Sequence, residues 1–133
     1  MNLLQSLQNQ AARLVSNKDR YTPVRDLLTS CGWLSVRQLV AYHRVLLLFN
    51  IKTKGKPKYF VDKFASDKSM KTRFQNDGRI KKQIIYRKTK SRTSFVPDSI
   101  DVWNCLPAEM RKIDDSRLFK PRLRTWIRSN IKI

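Results

Sequence analysis

Leu34–Ile51, LSVRQLVAYHRVLLLFNI, decides the fold. Ser35 followed three residues later by Gln38 is a capping box, in which each side chain satisfies a free backbone N–H at a helix start. Leu34 ahead of the cap and Leu39 inside the helix form the matching hydrophobic staple. Leu39, Val40, Tyr42, Val45, Leu46, Leu47, Leu48, Phe49 and Ile51 then leave almost no polar face. A helix apolar all round is a buried helix, so about 35–51 is expected to be the central helix of a small helical core. It is too short for a membrane span and carries Arg37, His43 and Arg44. A lone His43 in such a helix reads as a core or boundary residue.

The flanking sequence supplies helices to cover it. Leu4, Leu7, Ala11, Leu14 and Val15 recur at helical spacing within about 3–16, giving an amphipathic helix whose apolar stripe needs a partner. Thr22-Pro23 starts a second helix, about 23–31, which ends near Gly32. Two helices around a Gly-containing turn suggest a helix-turn-helix. A recognition helix, however, must show polar side chains to base edges, and the helix after this turn is apolar. Tyr59, Phe60 and Phe64 predict a short helical turn, and 65–78 reads as loop. Pro97–Asn104 is a short helix anchored by Val102 and Trp103, and Ala108–Ile113 is another turn. In the last element, about 117–129, Phe119, Leu123, Trp126 and Ile127 form a core stripe. Pro121 conflicts with that helix, which must either begin near Lys120 or kink. The fold class expected is mainly α: one domain over 1–133, with a helical core at 1–51 and 97–133 and an irregular or partly extended arm at 52–96.

Charge indicates the partner. The 133 residues carry 29 Lys+Arg against 10 Asp+Glu, a net +19. The excess is +4 over residues 1–51, +12 over 52–92 and +3 over 93–133. Such self-repulsion calls for an anionic partner. Lys52, Lys54, Lys56 and Lys58 alternate along a loop. Arg79, Lys81, Lys82, Arg87, Lys88, Lys90 and Arg92 surround Tyr86, a combination suited to a phosphate backbone with unpaired bases nearby. Arg117, Lys120, Arg124 and Arg128 form a basic ridge on the last helix. The same runs would also fit a solvated surface, a nuclear localisation signal or an acidic protein partner. Membrane-surface binding needs a basic helix with an exposed apolar face, and the apolar stripes here are expected to cover one another.

Catalytic signatures are missing. Three glycines nearly exclude a phosphate-cradling loop. Cys31 and Cys105 lack metal-ligand spacing and read as reduced thiols, so neither a cofactor nor a metal is expected. Asp114-Asp115 is the one adjacent carboxylate pair and stands where Asp caps a helix. The first residues lack a signal-peptide pattern, so an intracellular protein is expected, in the nucleus or in a cytoplasmic ribonucleoprotein.

Several blocks, in order, carry a family likeness: QNQAARLV at Gln8–Val15, YTPVRDLL at Tyr21–Leu28, GWLSVR at Gly32–Arg37, Trp103-Asn104-x-Leu106-Pro107, and Phe119-Lys120. Together they span nearly the whole chain, and it resembles the C-terminal, post-palm part of reverse transcriptases of LINE-type (non-LTR) retrotransposons of the jockey and chicken-repeat kind. The resemblance implies thumb-like helices that hold template and primer. The endonuclease domain and the palm with its aromatic-x-Asp-Asp motif have no counterpart here, and Lys112-Ile113-Asp114-Asp115 stands in the wrong context to replace it. Met1 just ahead of the matching region fits an orphaned, truncated or repurposed reading frame. The resemblance thus implies a non-enzymatic domain that grips RNA, DNA or their hybrid with little sequence preference. The alternative is an assembly module whose basic arm binds an acidic protein.

Overall fold

In the computed structural model the capping box closes as the sequence requires: Gln38 N–H donates to Ser35 Oγ at 3.3 Å, and Ser35 N–H donates to Gln38 Oε1 at 3.0 Å. The structure describes residues 2–64, 78–80 and 95–133. Its described elements are all helices: α1 Asn2–Ser16, α2 Val24–Cys31, α3 Val36–Lys54, α4 Lys58–Phe64, α5 Phe95–Asn104, α6 Ala108–Arg111 and α7 Ser116–Asn130. The protein is mainly α. Two compact units form, Met1–Tyr42 with Arg124–Ile133, and His43–Leu123.

In the first unit, α2 ends at Gly32 in the left-handed region at φ 67. Gly32 N–H bonds Thr29 O at 3.0 Å and Trp33 N–H bonds Leu28 O at 2.9 Å, the paired bonds of a Schellman motif. Ala12, Leu27 and Leu28 make a small core, against which Val24, Cys31 and Trp33 pack. Buried Gln38 also donates from Nε2 to Ile131 O at 2.8 Å, which fastens the segment after α7.

α1 reverses the expected orientation. Leu3, Leu4, Leu7, Leu14 and Val15 are 54–84% exposed, while Ala12 is fully buried. Gln8 Nε2 donates to Leu34 O at 2.8 Å, and Val36 N–H donates to Gln5 Oε1 at 2.9 Å. The reason is the demand for partners at the start of α3. The first four N–H groups of a helix have no partner within it, and the capping box serves only some of them. The amides of α1 therefore face inward, and its leucines stand largely in solvent.

The second unit is built on stacked aromatics. Val45, Leu48, Phe49, Ile100, Trp103, Leu106, Phe119 and Leu123 are all essentially buried. Phe49 and Phe119 stack with centroids 4.3 Å apart and planes 12° apart, and Trp103 lies 6.2 Å from Phe119. Arg44 pairs with Asp98 and sits 5.5 Å from the centre of the Phe95 ring. α3 is less enclosed than its composition suggests. Its buried residues are Gln38, Ala41, Val45, Leu48, Phe49 and Ile51, whereas Leu46 and Leu47 are half-buried and His43 is exposed. α3 also runs on to Lys54, one turn beyond the apolar residues.

α7 starts at Ser116, so the first resolution of the Pro121 conflict fails. Asp115 Oδ1 accepts from Arg117 N–H at 2.8 Å and its carbonyl accepts from Phe119 N–H at 3.0 Å, which makes Asp115 the cap. Pro121 lies inside the helix on its exposed side. The Arg117 carbonyl that Pro121 cannot serve belongs to an exposed residue, where water can bond it.

Candidate nucleic-acid interface

The end of α3 and the loop after it place a group of cations in the second unit. Gly55, at φ 60, turns the chain out of the helix, and its N–H bonds Ile51 O at 3.0 Å. Lys56-Pro57 is cis, and α4 begins at Lys58. Leu47, Asn50, Lys54, Lys56, Pro57 and Lys58 line an open hollow of about 560 Å³. Leu47 and Pro57 give it an apolar floor, and Lys54, Lys56 and Lys58 are exposed around it. Among the described residues none of these three lysines has an acidic partner. Three ammonium groups around a shallow apolar surface can hold phosphates at the rim while a sugar or base rests on the floor.

Lys52 is used differently. Its Nζ donates to Arg111 O at 2.6 Å and lies 3.5 Å from Asp114 Oδ1. A lysine on the carbonyls at a helix end is a capping interaction, so Lys52 closes α6 rather than standing free. Asp114 and Asp115 are thus employed separately, one beside Lys52 and the other as the α7 cap.

Arg79 opens the basic arm, and the protein holds the arm's root by its backbone. Trp103 Nε1 donates to Gly78 O at 2.9 Å. Asn104 accepts from Ile80 N–H at 3.0 Å and donates to Ile80 O at 2.9 Å, a two-point grip on the backbone of one residue. Arg111, only 2% exposed, donates to Asn104 O, at the end of α5, and to Leu106 O, just past it, which places its charge on these carbonyls. A side chain at Gly78 would stand 3.3 Å from Arg111 Cβ and would also meet φ +71. The Trp103-Asn104 block is therefore a clamp on Gly78–Ile80. Sequence reasoning read Trp103 as a core anchor and Trp103-Asn104 as part of a family-like block, and gave Asn104 and Arg111 no role at the arm. The one available signal was an amide placed beside a tryptophan at a helix end. Lys81, Lys82, Tyr86, Arg87, Lys88, Lys90 and Arg92, and with them the expected extended arm, lie outside the described residues.

On α7, Arg117 and Lys120 are exposed in the second unit, and Arg124 and Arg128 are exposed in the first. Arg128 is tethered, its Nη2 donating to Gly32 O at 2.6 Å. It borders a cavity of about 250 Å³ that Arg25, Trp33 and Lys132 also line. Among the described residues no three His, Cys, Asp or Glu side chains gather as a metal site, and no helix is long and apolar enough to cross a membrane. Cys31 is half-buried, Cys105 is exposed, and both are free thiols.

Comparison with protein families, with characterised proteins and with solved structures finds no match for this chain.

Proposed function

We propose that the chain is a non-catalytic nucleic-acid-binding domain, akin to the C-terminal part of a LINE-type reverse transcriptase. It grips the phosphate backbone of RNA, DNA or their hybrid with little sequence preference. It works in the nucleus or in a cytoplasmic ribonucleoprotein. The observation that carries this reading is the group Lys54, Lys56 and Lys58, exposed around one apolar hollow without acidic partners among the described residues, in a chain of net charge +19. The ordered sequence blocks and the clamp that roots the basic arm add support. Lys52 and Arg128 contribute less under this reading, since each is already bonded to a carbonyl.

Salt dependence tests it. Counterion release makes log affinity fall linearly with log salt, by about 0.7–0.9 per phosphate contacted. Lys54→Gln with Lys56→Gln and Lys58→Gln should flatten that slope by about two to three units on single-stranded RNA, duplex DNA or hybrid. Lys81, Lys82, Arg87 and Lys88 changed to Gln should flatten it by about three to four units. Tyr86→Ala should cost about 1–3 kcal/mol on single strands with little change in slope. Wild-type binding by both the triple and the quadruple variant at two salt concentrations would end the proposal and leave the acidic-protein partner in its place.

A further inference from the structure

The aromatic rings of the second unit fall into two groups. Phe49, Trp103 and Phe119 are sealed in its core. Tyr59, Phe60 and Phe95 form another row, and this one opens to solvent: Tyr59 is 71% and Phe95 38% exposed, with half-buried Phe60 between them. The Tyr59 and Phe60 centroids lie 4.6 Å apart, and those of Phe60 and Phe95 lie 5.9 Å apart. Arg44, paired with Asp98, rests 5.5 Å from the centre of the Phe95 ring. The inner end of the row is therefore taken, and Tyr59 is its open end. The row also grows out of the lysine hollow. Phe60 N–H bonds Pro57 O at 3.1 Å, and Pro57 is part of the hollow's floor. Lys58, exposed at the rim, immediately precedes Tyr59. Four consecutive residues, Lys56 to Tyr59, thus present two ammonium groups and one open ring.

We propose that Tyr59 stacks an unpaired base while Lys56 and Lys58 hold the phosphates beside it, so that the hollow takes single strands in preference to duplex. The inference rests on the nucleic-acid reading above and names the strand class of that same site. A ring set directly among cations matches what a single strand offers, bases with free faces strung between phosphates. A duplex keeps its bases inside and turns only backbone toward the ring. Charge alone would rank the two the other way, because a duplex releases more counterions per phosphate neutralised. Phe60, backed by Phe95, braces Tyr59 from one side, so less side-chain freedom is left to lose on binding. A protein partner is a poorer match. Two partly exposed rings offer at most roughly a few hundred Å², against about 800 Å² per partner in a stable protein interface.

The test reads the full chain by fluorescence anisotropy on three labelled probes: a thymidine strand of about 12 nucleotides, an abasic strand with the same phosphates, and a duplex of the same length. The thymidine strand should bind tighter than either of the others. Tyr59→Ala should weaken it about fivefold to a hundredfold, the range of base–aromatic stacking, at an unchanged salt slope and melting temperature. The same variant should bind the abasic strand and the duplex as wild type does, and Tyr59→Phe and Tyr59→Trp should keep the affinity for thymidine. A thymidine strand held no tighter than the abasic strand or the duplex would overturn the inference. So would full binding by Tyr59→Ala, or an equal loss on all three probes. A lowered melting temperature of Tyr59→Ala would do the same, by making the ring part of the core, as would a wild-type dimer in sedimentation that this variant dissolves. In each of these cases salt-dependent binding of the three probes by wild type would leave the nucleic-acid reading standing. Salt-dependent binding of none of them would end both.

Discussion

α1 and α7 are both 15-residue amphipathic helices, and they turn opposite sides to the protein. α7 behaves as its periodicity requires, with Phe119, Leu123 and Ile127 fully buried and its cations outside. α1 buries amides and shows leucines. The difference lies in what each helix meets. α7 lies against aromatic rings, notably Phe49 and Trp103, which only apolar contact can satisfy. α1 lies against the start of α3, where the Leu34 carbonyl and the Val36 N–H take their hydrogen bonds from Gln8 and Gln5. An unsatisfied buried polar group costs about 1–3 kcal/mol, comparable to the gain from burying one leucine, about 1.5–3 kcal/mol. Periodicity thus identifies a helix and its stripe, while the neighbour decides which side is inside.

The largest expected effect lies on α7. Phe119→Ala removes a fully buried ring stacked on Phe49 and should cost about 3–5 kcal/mol in urea unfolding. That is a large share of a domain stability of about 5–15 kcal/mol. A loss below about 1 kcal/mol would erase the contrast between the two helices.

An intermediate effect is expected on the inner side of α1. Gln5→Ala with Gln8→Ala leaves the Val36 N–H and the Leu34 carbonyl unpaired at a site that includes buried Leu34 and Ser35. It should cost about 1–3 kcal/mol for each group left unsatisfied. Alanine is the better helix former, so propensity works the other way. A double variant as stable as wild type would mean that water replaces both amides and that hydrogen bonding does not orient α1.

What could be read from the sequence was local. The Ser35/Gln38 box, the Gly32 turn and the Asp115 cap each lie within a few residues of the bonds they make, and all three are present. The buried stripe of α7 was legible for the same reason. The orientation of α1 was not, because it depends on backbone groups 26 and 31 residues away. Nor was the Trp103-Asn104 clamp, whose partners are backbone atoms of Gly78 and Ile80 without any side-chain signature. In the candidate interface, composition marks every lysine and arginine alike. Only coordinates separate Lys54, Lys56 and Lys58 at the hollow from Lys52 and Arg128, which bond carbonyls.

The smallest effect should come from the residue that periodicity marks as core. Leu14 lies on the α1 stripe, and a pattern-based reading would assign its loss a cost of about 2–5 kcal/mol. It is 84% exposed, so Leu14→Gln removes little area from contact with protein. Leucine and glutamine have nearly equal helix propensity, so the backbone loses nothing either. The urea midpoint should therefore shift by no more than about 0.5 kcal/mol in equivalent stability, the usual range for surface substitutions. Ala12→Gln, two residues earlier on the buried side, supplies the internal control. It forces a long polar side chain into the Ala12–Leu27–Leu28 cluster and should cost at least about 1–3 kcal/mol by overpacking alone. If Leu14→Gln proves the costlier of the two, α1 is rotated by roughly half a turn from this arrangement, and its leucines belong to the core after all.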